Sequence, residues 1–161
     1  MLEKLTRRAA FVLVPVSLLL VSVAPRRDDD DAQEAREEAF AELLTGATLT
    51  GWFTDSNHPE GPPVHDSYTI SKAAKADGDK WLIQSRIGET GLEVPLYIDV
   101  KWAGDTPVMT LDQLEVPKMG AFDARVLFYG KSYAGVWRGA KHAGEMGGRV
   151  ERLPAAAGAK K

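Results

Sequence analysis

The stretch LEVPLYIDVKW constrains the chain more than any other, because its side chains alternate in character with period two. In an extended chain Leu92, Val94, Leu96, Ile98, Val100 and Trp102 point one way, and Glu93, Pro95, Tyr97, Asp99 and Lys101 the other. A helix scatters such a set around its axis, whereas a strand gathers the apolar members on one face. The pattern recurs. In KWLIQSRIG, Trp81, Ile83, Ser85 and Ile87 lie opposite Leu82, Gln84 and Arg86; in AFDARVLFYG, Phe122, Ala124, Val126 and Phe128 lie opposite Asp123, Arg125, Leu127 and Tyr129. Pro95 has no N–H to give to a ladder, so its strand is expected to have an edge or a bulge there.

Turn chemistry separates these runs at short intervals. KADGDK, AGDTP, PKMG and GKS each place Gly, Asp or Pro between two alternating segments, and Asp-Gly and Gly-Asp pairs tolerate the positive φ of tight hairpins. The stretch DSNHPEGPPVHD is longer and reads as a Pro- and Gly-rich loop. Adding Ala47–Asp55 and Met146–Arg152 gives about eight strands at regular spacing, the signature of an all-β fold. The expected architecture is an antiparallel meander over residues 47–152, closed into a barrel or folded as a sandwich. With no cysteine for disulfides, closure would remove the exposed edge strands.

The N-terminal region differs. Lys4, Arg7 and Arg8 precede the apolar run AAFVLVPVSLLLVSVA (9–24), which is short for a membrane span of about 20 residues. Residues 1–24 therefore read as a secretory signal, with Arg7-Arg8 and Phe11 resembling a twin-arginine signal. Cleavage after Ala24 satisfies the small-residue rule but leaves Pro25 after the cut, so an uncleaved anchor through residues 9–24 is the alternative. The expected location is periplasmic or secreted, with membrane contact only through that segment. Residues 25–32 carry the charge block RRDDDD and read as a linker. In residues 33–46, Ala35, Ala39, Phe40, Leu43 and Leu44 share one helical face, the early glutamates suit the helix N-terminus, and Gly46 supplies a stop. The tail 153–161, LPAAAGAKK, reads as disordered.

Composition removes several functions. A formal charge of -3 offers no footprint for nucleic acid. The absence of cysteine excludes thiolate catalysis and Cys-based zinc or iron–sulfur sites. His58, His65 and Asp66 share the long loop with Asp55, but their spacing matches no ligand motif and His142 lies far along the chain; no metal site and no cofactor are expected. The glycines of YAGVWRGAKHAGEMGGRV (133–150) lack a phosphate-loop pattern and no helix follows them. They read instead as places where a strand bends or a large side chain crosses a neighbouring backbone. No nucleophile elbow or zinc-protease helix occurs.

What remains is an aromatic-rich sheet. Trp52, Trp81, Trp102 and Trp137 each fall in an expected strand, where they fill a core, cap a barrel end or line a cavity. A barrel of about eight strands can hold one small ligand. Arg86, Arg125 and Arg138 complete the candidate ligand-binding set, as partners for a ligand carboxylate if they turn inward and as solvated residues if they do not. The expected role is non-catalytic: binding of a small apolar or amphipathic ligand, or of a cell-envelope component.

Three resemblances accompany these patterns. LLTGATLTGWF, VKWAGDTPVMTL, FDARVLFY and YAGVWRG resemble phrases of small, uncharacterised secreted β-rich proteins of planctomycete-type bacteria, a family without an established activity. The consecutive hairpins with Gly-Trp pieces are similar to calycins, the lipocalin and avidin-like barrels, although Gly51 and Trp52 are adjacent where that family spaces them. LLTGATLTGW (43–52) is similar to the opening of secreted jelly-roll domains of the 3-keto-disaccharide hydrolase type, which would imply a carbohydrate-active protein. Such an enzyme requires two carboxylates facing each other across a groove, about 5–10 Å apart.

Overall fold

The computed structural model describes residues 27–87, 93–116 and 120–152. The expected signal segment (1–24) and tail (153–161) lie outside the described residues, as does Leu92 of the alternating run.

Eight strands pair in chain order, and the last returns to the first to close an antiparallel barrel. They are β1 (Ala47–Phe53), β2 (Val64–Asp77), β3 (Lys80–Ile87), β4 (Glu93–Ala103), β5 (Thr106–Val116), β6 (Gly120–Tyr129), β7 (Ser132–Arg138) and β8 (Ala143–Arg152). Closure runs through seven β1–β8 pairs, from Ala47↔Arg152 to Phe53↔Met146. One continuous ladder leaves no place for a two-sheet sandwich. The period-two faces appear as read: Trp81, Ile83 and Ser85 of β3, Val94, Ile98 and Val100 of β4, and Ala124, Val126 and Phe128 of β6 are buried. Arg86, Lys101 and Arg125 lie on the exposed side.

Antiparallel connectivity sorts the turns into two ends. The β2–β3, β4–β5 and β6–β7 hairpins lie at one end, with Gly78, Gly104 and Gly130 at φ of 53, 63 and 57°. The β1–β2 loop (54–63) and β7–β8 loop (139–142) lie at the other.

The hairpin end is filled by α1 (Arg27–Leu44). This helix starts earlier than the sequence suggests: the charge block expected as a linker at 25–32 is helical from Arg27 onward. Asp28, Asp29 and Asp30 occupy the first turn, where unpaired backbone N–H groups and the helix dipole favour negative charge. The buried stripe is also narrower than expected. Phe40 and Leu44 are buried and Leu43 packs at the margin, while Ala35 and Ala39 are exposed.

Phe40 is the plug. Its ring meets Trp81 of β3 and Phe128 of β6 edge-on at centroid distances of 5.3 Å, and Trp102 of β4 at 6.1 Å. Contacts to the neighbouring strands β3 and β4 and to β6 beyond them place it across the barrel end. Polar contacts hold the helix there: Arg36 reaches Asp105 in the β4–β5 turn at 3.1 Å, Glu37 pairs with Lys75 of β2, and the Arg152 guanidinium donates to the Glu42 carbonyl. The chain then turns into β1 through Gly46 at φ 73°, whose N–H donates to the Ile70 carbonyl at 2.8 Å.

Truncating the plug leaves a cavity that none of these strands can collapse to fill. Phe40→Ala is expected to lower unfolding free energy by about 3–5 kcal/mol, measured by urea denaturation; a loss under about 1 kcal/mol would show that the barrel does not depend on its helix.

Candidate functional site

Because α1 fills only one end, the other half of the interior encloses a cavity of about 320 Å³. Its walls are almost wholly apolar: Leu49 of β1, Ile70 of β2, Ile83 of β3, Ile98 of β4, Met109 of β5 and Val126 of β6 all contribute. Phe53, Phe122, Trp137 and His142 line it toward the loop end. Strands β4 and β5 pair only over Asp99–Ala103 with Thr106–Thr110, so their halves nearer the loop end part from each other. Pro95 lies in that unpaired half of β4, which accounts for the edge expected at a residue that cannot donate.

A few polar groups enter these walls, and glycines put them there. Register places Asp66 of β2, Gly51 of β1, Gly148 of β8 and Tyr133 of β7 in one lateral row. A Cβ on Gly51 would lie 2.4 Å from the Tyr133 hydroxyl and one on Gly148 2.8 Å from it, so the tyrosine lies across both glycines toward Asp66. Tyr68 projects from the same face of β2 as Asp66 and lines the cavity beside it. Burial raises the Tyr68 phenol far above the ordinary tyrosine range, and hydrogen bonding to Asp66 acts in the same direction. Burial, then the Asp66 charge, raises Tyr133 as well. One Asp66 oxygen also accepts the Ser67 backbone N–H at 2.7 Å.

Trp137 is set by the same device. It pairs with Gly144, and a Cβ there would stand 2.8 Å from the indole Nε1. That nitrogen is buried and has no hydrogen-bond partner among the described residues. The ring packs edge-to-face with His142 at 4.8 Å and with Phe53 at 6.1 Å. His142, distant in sequence from the other histidines, meets Asp55 through Nδ1 at 3.1 Å. Asp55 is held below the ordinary carboxylate range by the Asn57 backbone N–H first and His142 second. This contact joins the β1–β2 and β7–β8 loops, and the Ser56 N–H reinforces it by donating to the Ala143 carbonyl at 2.8 Å. Among the described residues no three His, Asp or Glu side chains cluster in a way that could hold a metal ion.

Of the seven residues the sequence nominates, Trp137 alone lines the cavity. Trp81 lies inside the barrel at the helix end, packed on Phe40, and Trp102 also packs edge-on against that ring. Trp52 points outward and is 38% exposed, covering Gly147 of the neighbouring strand. Arg86 and Arg138 are exposed. Arg125 is a structural residue: it donates to the Leu111 carbonyl at 2.7 Å and pairs with Asp112 at 2.6 Å, bracing the β5 bulge where Gln113 adopts φ 49°. Asp123 completes that brace by accepting the Gln113 backbone N–H at 2.7 Å.

The residues missed are Asp66, Tyr68 and Tyr133. Asp66 had been placed in the Pro- and Gly-rich loop, whereas β2 begins at Val64. The signal was present: Asp66, Tyr68 and Ile70 share a period-two face. Compared with family models, curated proteins and solved structures, the chain matches none, so the site is defined by its own geometry.

Both buried phenols make stability depend on alkaline pH. In the unfolded chain they ionise near about pH 10, so above that range the folded state binds more protons and is progressively disfavoured. Their contribution is fully present below the ordinary tyrosine range and is lost as pH rises through the raised folded values. Unfolding free energy is expected to fall between about pH 9 and pH 11, and Tyr68→Phe to flatten that decline. Identical pH profiles for the variant and the parent would contradict the burial of this hydroxyl.

Proposed function

We propose that this is an exported, non-catalytic binding protein that takes a small apolar or amphipathic molecule into its barrel. The observation that carries the proposal is the cavity: about 320 Å³, apolar over most of its walls, and stoppered at one end by α1. Ligand pockets commonly begin near about 300 Å³ and combine greasy walls with a few placed polar groups. Export rests on the basic and apolar segment at residues 1–24. Among the described residues no helix is long and apolar enough to cross a membrane.

Glycan cleavage finds less support. A two-carboxylate mechanism requires a facing pair, and Asp66 is the one carboxylate among the described residues that line the cavity. The walls also lack the paired polar groups that a sugar's hydroxyls demand, since unpaired hydroxyls are costly to bury.

Binding can be followed with an apolar dye whose fluorescence rises when it leaves water. The protein is expected to enhance it saturably, at a stoichiometry near one. Ala124, buried on β6 and lining the cavity, offers a way to fill it from within. Ala124→Phe is expected to abolish the enhancement while retaining the β-sheet circular dichroism, at a stability cost of about 1–3 kcal/mol. Undiminished dye binding by that folded variant would move the site out of the barrel.

A further inference from the structure

The chemistry of the ligand's polar end can be read from the single charged row in the cavity wall. Arginine and lysine are absent from that wall among the described residues. Arg86, Arg125 and Arg138, the cations that could have received a carboxylate, all lie on the outer surface. The charge facing inward is Asp66, half-buried at the end of the glycine row. Around it stand two phenols that remain protonated because burial and Asp66 itself oppose their ionisation.

Hydrogen-bond capacity points the same way. A phenol has one proton to give. Tyr68 and Asp66 both line the cavity, and a phenol that gives its one proton to a carboxylate has only acceptor capacity left for a ligand. His142 also lines the cavity, but its Nδ1 is engaged with Asp55, whose negative charge balances any charge on the imidazole. Ser85, 5% exposed, is neutral and can play either part. Trp137 holds a proton donor, but it is shut against Gly144 rather than offered to the interior. Among the described residues the polar part of the cavity is therefore rich in acceptors and poor in donors. A ligand carboxylate brought there would meet a second carboxylate, that of Asp66.

Gly51 and Gly148 make this more than a chance grouping. A side chain at either position would occupy the space where the Tyr133 hydroxyl lies, and the phenol could not reach toward Asp66 across the two intervening strands. The cluster is thus built from four strands, at one level of the barrel.

We propose that the Asp66–Tyr68–Tyr133 cluster receives the polar end of the ligand and selects a hydrogen-bond donor, above all an aliphatic ammonium, over a carboxylate. This rests on the barrel cavity being the binding site. An alkyl amine would place its chain against the apolar walls and its –NH₃⁺ against Asp66 and the tyrosine oxygens. An alcohol would satisfy one acceptor without the charge.

The test uses the full chain at neutral pH, with octylammonium, octanol and octanoate as competitors of the apolar dye. The three share a chain, so the hydrophobic contribution is held constant. Octylammonium is expected to displace the dye at a concentration about tenfold below octanoate, with octanol between them, as befits one charge-assisted hydrogen bond. Asp66→Asn is expected to bring the amine and the acid within about threefold of each other while leaving octanol nearly unchanged. Tyr133→Phe, which keeps the ring across its glycines, is expected to weaken octylammonium and octanol and spare the dye. Octanoate equal to or tighter than octylammonium in the parent protein would overturn the proposal whether or not the variants fold. So would a preference for the amine that survives Asp66→Asn. Dye binding that none of the three displaces counts against the selectivity alone, whereas failure to bind the dye at all removes the cavity reading and this inference with it.

Discussion

Pairing of β1 with β8 is the contact on which the rest of the structure depends. Without it the sheet would have two free edges, each a row of unpaired N–H and C=O groups. With it the interior has a fixed circumference that side chains alone must fill or leave open. The contact is unusually close. A Cβ on Gly51 would lie 2.1 Å from the Gly147 carbonyl oxygen, and one on Gly148 2.2 Å from that of Thr50. Glycine is therefore required at both positions by the neighbouring backbone, quite apart from the tyrosine that crosses them. The seam that closes the barrel and the slot that positions Tyr133 are the same piece of backbone.

Closure is symmetric around the barrel, but filling is not. At the hairpin end Phe40, Trp81, Trp102 and Phe128 form a cluster of rings in edge-on contact. Aromatic pairs in such geometry contribute about 0.5–1.5 kcal/mol beyond the area they bury. At the loop end the inward positions are occupied by residues that leave space between them, among them Ala124 and the glycine row. The arrangement concentrates packing at one end and leaves the other to be completed by something else. The His142–Asp55 contact then ties the β1–β2 loop to the β7–β8 loop.

Much of this was legible in the sequence, and the illegible part has a physical reason. Period-two alternation gave the strands, and Asp-Gly or Gly-Asp pairs gave the hairpins whose glycines adopt positive φ. Parity even settles Trp52: Leu49, Gly51 and Phe53 share one face, so the tryptophan between them must point outward. The same rule turns Arg86, Arg125 and Arg138 away from the interior. Parity says nothing of depth, however. Trp81 and Trp137 both face inward, yet one is sealed beneath the helix and the other lines the cavity. Depth follows from strand register and tilt, which are properties of the closed sheet. The Asp66–Gly51–Gly148–Tyr133 row is likewise non-local, visible only after four strands are aligned. The charge block before Gln33 was misread for a different reason: four successive aspartates look like a solvated linker until the helix N-terminus they stabilise is recognised.

The open half of the barrel also bears on stability. An apolar cavity forfeits the contacts its lining would make, and in well-packed proteins each additional Å³ costs about 24 cal/mol. Water entering from the loop end can hydrate Asp66 and the tyrosines, but it gains nothing from the isoleucine and methionine walls. The sequence nonetheless keeps alanine at position 124, on the cavity wall, where a larger side chain would take up part of this space. Side chains that filled it without strain would strengthen the domain and remove the site, the usual opposition between stability and function. A ligand that binds the folded state alone reverses the deficit by mass action, adding about 2.7 kcal/mol when present at a hundred times its dissociation constant. The cavity therefore couples occupancy to stability, and the asymmetry of the barrel gives that coupling a location: the plugged end holds the fold together when the site is empty, and the open end is where a ligand would complete the core.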